Sequence, residues 1–179
     1  MVSDGSYMQG RHKGACSGAF VLHCSRTGRR ASCGWAELQQ VSDNYRGEML
    51  GAIGFFSILH ATLANPAIKK RLSKSSAAIK VRAYSDCKGV ITHGNDIEKM
   101  LKQGQAHIDL ICAIRRLVRD LPVKVTFIYV PSHRDKHVPY ELLTIEQQLN
   151  CDMDRLAKKV LKGQSRRTPL SSVPFPLRH

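Results

Sequence analysis

Apolar and polar positions along the chain change their spacing in a readable order. Gly18-Ala19-Phe20-Val21-Leu22-His23-Cys24 is a short apolar run, Ser25 to Arg30 is a polar turn containing Gly28, and Ala31 to Ala36 returns as a second run. This arrangement predicts a hairpin, and residues 1–36 as a whole read as strands and turns. From about Asp43 to Ala64 the spacing becomes helical, with Met49, Ile53 and Phe56 at three- and four-residue steps, until Asn65-Pro66 stops it. Lys69 to Ser76 reads as a basic, polar connection, and Ile79 to Tyr84 as a strand by alternation and β-branching. A short helix is expected after Asp86, then a loop around His93-Gly94-Asn95 and a longer helix from about Ala106 to Arg119. Val123 to Val130 is the clearest strand, and a final helix covers roughly Ile145 to Leu161 and closes at Gly163. Residues 163–179, with Pro169, Pro174 and Pro176, read as a disordered basic tail. Strands first, then alternating helix and strand, predict one α/β domain over 1–162.

Composition changes this picture in one respect. Apolar residues at 42% and charged ones at 23% are ordinary for a globular chain of 179 residues, but 28 Lys and Arg face only 14 Asp and Glu. No acid occurs between Glu48 and Asp86 or after Asp154, so the net charge of +14 comes in blocks. That pattern points to a polyanion, and nucleic acid is the commonest. The six cysteines form no C-x-x-C pair, which leaves reduced thiols and an intracellular setting as the expectation. No signal peptide is read at the N-terminus, and no segment is read as long and apolar enough to span a membrane.

Candidate chemistry rests on acids. Asp4, in Ser3-Asp4-Gly5-Ser6, reads alone as a turn residue. Glu48 shares a helical stripe with Ala52, Phe55 and Leu59. It is either a buried carboxylate that needs a partner or metal, or a first-turn glutamate favoured by the helix dipole. Asp86 ends a strand, where α/β sheets collect ligands, and also suits an N-cap. Asp154 competes with Asp152 on the last helix and has Lys158 as an i+4 partner. His133 leaves the clearest strand on a loop.

Together these motifs resemble the ribonuclease H family, type 1, and specifically the domains of retroelement reverse transcriptases. Asp4 matches the family's first acid in D-G-S; Asn44, Arg46 and Glu48 match N-x-R-x-E; Ser85-Asp86 matches the third acid; and Asn150, Asp154, Leu156 and Ala157 match N-x-x-x-D-x-L-A. The match selects Asp154 over Asp152 and makes His133 the family's mobile histidine. It implies a five-stranded mixed sheet, three antiparallel strands first and then parallel ones, flanked by helices. Only Met1, Val2 and Ser3 precede Asp4, which shortens the family's first strand. The Glu141 to Leu149 run resembles retroelement versions, and the expectation is a piece of a longer reverse transcriptase polyprotein.

What the resemblance implies about activity is metal-dependent cutting of the RNA strand of RNA–DNA hybrids by a monomer. Two Mg²⁺ or Mn²⁺ ions, roughly 3.5–4 Å apart, would activate water and stabilise the leaving oxygen. Asp4 would bridge them, Glu48 and Asp86 would hold one, Asp154 the other, and His133 would move water or product. Asn44, Gly5 and Ser6 near the acids, with Lys69, Lys70, Arg71, Lys74, Arg115, Arg116 and Arg119, form the expected nucleic-acid footprint. The alternative is a degenerate module of the same fold that binds nucleic acid without cutting.

Overall fold

The computed structural model describes residues 1–8, 15–38, 43–73 and 80–165. One sheet holds β1 (Val2–Met8), β2 (Ala15–His23), β3 (Arg30–Leu38), β4 (Lys80–Ser85) and β5 (Lys124–Tyr129), in the order β3-β2-β1-β4-β5. The first three strands are antiparallel, with Asp4 opposite Ala19 and Phe20 opposite Cys33. β4 runs parallel to β1, meeting it at Val2 and Tyr84, and β5 runs parallel to β4. The hairpin closes through Gly28, whose φ of 67° suits a residue without a Cβ. The mixed five-stranded sheet is the one expected.

Among the described residues five α-helices flank it: α1 (Asn44–Ala64), α2 (Pro66–Ser73), α3 (Lys88–Asn95), α4 (Ile108–Arg119) and α5 (Ile145–Ser165). On one face, α1, α3 and α4 bury Met49, Phe55, Phe56, Val90, Ile111 and Ile114 against Phe20 and Phe127. On the other, α5 buries Leu149, Met153 and Ala157 against Val2, Ala19 and Val21.

Four glycines set how closely α1 approaches. Gly5 and Gly18 pair across β1 and β2, while Gly47 and Gly51 lie one turn apart on α1. A Cβ on Gly5 would sit 2.8 Å from Glu48 Cα, on Gly18 2.8 Å from Gly51 Cα, and on Gly51 2.8 Å from the Asp4 carbonyl oxygen. Backbone therefore lies directly on backbone, with no side chain between.

Several elements differ from the sequence reading. Lys69 to Ser73, read as the start of a polar connection, belongs to α2: Pro66 takes the first helical position and Asn65 Oδ1 accepts from Ala67 N at 3.0 Å, an N-terminal signal. His93-Gly94-Asn95 is the last turn of α3, not a loop, because Gly94 lets the Phe127 ring pack against the helix. The Asn95 carboxamide bonds Phe127 N at 3.0 Å and Phe127 O at 3.1 Å, covering part of the β5 edge. α5 continues through Gly163 to Ser165. α1 is, contrary to expectation, long and apolar enough to cross a bilayer by length and composition; here half of it is buried inside the fold. Ile79, the 74–79 segment and the expected tail from 166 onward lie outside the described residues.

The glycine contact yields a paired prediction. Gly51→Ala should destabilise by about 1–3 kcal/mol through overpacking. Gly163→Ala, where nothing lies within 4 Å of the added Cβ, should stabilise α5 by roughly 0.5–1 kcal/mol. Urea unfolding measures both, and equal effects at the two sites would contradict the packing account.

Candidate active site

Asp4 lies within β1, Glu48 in the second turn of α1, and Asp86 directly after β4. One carboxylate oxygen from each lies within 4.8 Å of the others. Asp4 and Glu48 are only 4% and 5% exposed, and Asp86 is half-buried. Local structure explains each placement. The glycine contact brings the Glu48 backbone onto β1. Asp43 caps α1, accepting from Arg46 N at 2.7 Å. The buried Arg46 guanidinium then holds Glu37 of β3 through bonds of 2.6 and 3.0 Å and reaches Asp109 of α4 at 3.4 Å. Gly5 N donates to Asp4 Oδ1 at 2.7 Å, and Asn150 Nδ2 donates to Asp86 Oδ2 at 3.3 Å.

Burial makes these acids reluctant to ionise. Asp4 is pushed up to about 8, first by loss of water and then by the Asp86 charge. Glu48 rises well above the carboxylate range through burial and then Asp4. Asp86 rises through burial, opposed by its Asn150 hydrogen bond and by His133. Glu48 Oε2 and Asn150 Oδ1 are buried with no hydrogen-bond partner among the described residues. Such oxygens are costly unless satisfied. A divalent cation would neutralise the acids and offer Glu48 Oε2 the partner it lacks. The donor set, all hard oxygen, fits Mg²⁺, Mn²⁺ or Ca²⁺.

Asp154 belongs beside the trio rather than within it. Its charge raises the proton affinity of both Asp4 and Asp86, yet its Oδ2 is held by Lys158 Nζ at 2.7 Å. Asp152 turns elsewhere and accepts from the Tyr140 hydroxyl at 3.0 Å. His133 is exposed, in the left-handed region with φ 50°, and close enough to oppose the rise of Asp86. The loop it starts is tied to α5 by Arg155, which bonds Asp135 at 3.1 Å and lies 5.3 Å over the Tyr140 ring.

The expected nucleic-acid footprint divides. Asn44 is exposed at the start of α1, beside the 2.9 Å pair of Asp43 with His107. Gly5 and Ser6 are buried, and Gly5 lies under α1, so it serves packing rather than contact. Arg115 is also corrected: it is 7% exposed and bonds Lys99 O at 2.5 Å and His93 Nδ1 at 3.4 Å. Its place one turn after Ile111, on the core face of α4, was the available signal. Arg116 and Arg119 are exposed and pair with Asp120 at 3.8 Å and Glu98 at 3.3 Å. Lys69 and Lys70 are exposed on α2, beyond the far end of α1, which lies roughly 24 Å along the axis from Glu48. The Arg71 side chain and Lys74 lie outside what is described. Sequence reasoning gave Asn150 no task of its own, although it shares a face of α5 with Asp154.

The raised acids predict a pH effect. An acid that binds its proton more tightly when folded stabilises the fold while protonated, and that contribution is lost as pH rises toward the folded pKa. In EDTA, Asp4 should therefore cost stability increasingly between its ordinary value of 3.8 and about 8. Asp4→Asn should remove that component, so its stability advantage over wild type should grow from pH 5 to pH 8 in urea unfolding. A gap that shrinks over this range would contradict the burial account.

No family model matches the chain, and no curated protein does. Solved structures do. The N-terminal RNase H domain of a Mycobacterium tuberculosis protein, solved as a maltose-binding protein fusion, is 16% identical over 92% of this chain and 95% of that one, with a TM-score of 0.59. A compost-derived RNase H1 solved with an RNA/DNA hybrid is 11% identical over 92% and 96%, with a TM-score of 0.58. The foamy viral protease-reverse transcriptase, solved with dsDNA, is 13% identical over 90% and 92%, with a TM-score of 0.60. At such identities the likeness speaks for the fold: this chain has the fold of type 1 ribonuclease H domains, among them that of a viral reverse transcriptase.

Proposed function

We propose that the chain is a metal-dependent endonuclease that hydrolyses the RNA strand of RNA–DNA hybrids, and that it derives from a retroelement reverse transcriptase. The observation that carries this reading is the meeting of Asp4, Glu48 and Asp86 within 4.8 Å. It is supported by a fold shared with a structure solved on an RNA/DNA hybrid.

Two Mg²⁺ or Mn²⁺ ions, when bound, would supply an activated water and neutralise charge on the leaving oxygen. Asp4, Glu48 and Asp86 would hold them, with Asp154 completing the set. Asp4 and Glu48 must give up any proton they share to do so, which makes occupation favour higher pH. Asn150 orients Asp86 through its 3.3 Å hydrogen bond. His133, exposed near Asp86, would help move water in or product out. The products would be a 5′-phosphate and a 3′-hydroxyl. Asn44, exposed at the start of α1, is the side chain we assign to reading the 2′-hydroxyl side of the duplex. The net charge of +14 draws in the phosphates, so binding should weaken steeply with salt.

The test uses a labelled RNA–DNA hybrid, single-stranded RNA and duplex DNA, with Mg²⁺ or EDTA. Cutting should be confined to the hybrid, stop in EDTA, and fall at least about a hundredfold in Asp86→Asn. Asn150→Ala should lose roughly 10–100-fold and need more Mg²⁺. Binding without cutting, or unchanged cutting by Asp86→Asn, would overturn the reading.

A further inference from the structure

Among the described residues, Asp154 differs from its neighbours in carrying a lysine. Lys158 stands one turn further along α5, its Nζ is 2.7 Å from Asp154 Oδ2, and the two side chains are 52% and 20% exposed. By contrast, Asp86 is steadied by the neutral Asn150 amide, and Glu48 keeps an unpartnered oxygen. Asp154 lies near enough for its charge to act on Asp4 and Asp86, yet it stands outside the set that closes to 4.8 Å.

Resting on the metal centre proposed above, we infer that Lys158 is a positioning residue that withholds Asp154 from that centre. Two effects act in the same direction. The ammonium engages one oxygen, Oδ2, of the carboxylate that a second divalent cation would use, and its positive charge repels that cation. Because the partners are four residues apart on one helix, the ion pair re-forms whenever the cation leaves. The first ion, held by the buried trio, meets no such competitor. The centre should thus fill in two unequal steps, the second set by the strength of the Lys158–Asp154 pair.

Calorimetric titration of the metal-free chain with Mn²⁺ tests this without reference to activity. Wild type should bind one ion, lost in Asp86→Asn, and a second more weakly. Lys158→Met should tighten the second by roughly two- to fivefold, the range a partly exposed ion pair commands, and leave the first unchanged. Lys158→Arg, which keeps the pair, should behave as wild type. Lys159→Met, which removes the same charge from the neighbouring position, should also leave the second step as it is. An unchanged second step in Lys158→Met overturns the inference while leaving the metal centre standing. Equal tightening by Lys159→Met also overturns it, since bulk charge would then be the cause. If wild type binds no Mn²⁺ and Asp86→Asn changes nothing, the metal centre itself fails and the inference with it.

Discussion

Where α1 crosses β1 and β2, the two layers meet main chain to main chain. Gly5 and Gly18 on the sheet face Gly47 and Gly51 on the helix, and a methyl group on any of them would strike backbone atoms. That approach leaves no room for a side-chain layer, so α1 cannot slide or tilt without backbone collision. It also fixes where Glu48 sits, since its own backbone is among the atoms that Gly5 touches. The remaining acids arrive by independent routes. Asp4 is carried by the paired β1 strand, and Asp86 by the end of β4, parallel to it. Arg46 holds the entry of α1 to β3 and α4, so the helix is anchored at the end that carries the acid.

The result is a site whose electrostatics conflict with folding. Three carboxylates converge in a place that disfavours their charge, and one oxygen is left unpartnered. The apolar layers on both faces, built from Phe20, Phe55, Phe56, Ile111 and Phe127 on one side and Val2, Leu149 and Met153 on the other, supply the stability that tolerates it. A bound cation would relieve the conflict, so metal binding and fold stability should be linked. Local rules broken at one spot and satisfied around it are a mark of function.

Much of this was legible in the residues, and the failures have physical causes. Glu48 stood between two readings, and the burial of Ala52 and Phe55 on its stripe, with Leu59 half-buried, decides for the buried carboxylate. Asp4 could not be read alone, because D-G signals a turn as readily as a strand; Gly5 is there for the close approach of α1. α2 could not be told from a connection because Asn65-Pro66, which ends α1, is equally a start signal, with Asn65 Oδ1 accepting from Ala67 N. Arg115 misled because charge suggests a surface, although its spacing from Ile111 put it on the core face. The Lys158 pair shows a limit of another kind: spacing announced it, but only the fold shows that it stands beside the buried acids.

All of this comes down to whether the acid trio is a cation site. Crystals grown with Mn²⁺ and measured for anomalous scattering answer that directly. The expected result is a peak bounded by Asp4, Glu48 and Asp86, with Glu48 Oε2 among its neighbours. Trio oxygens hydrogen-bonded only to one another and to water, with manganese bound elsewhere or nowhere, would contradict it.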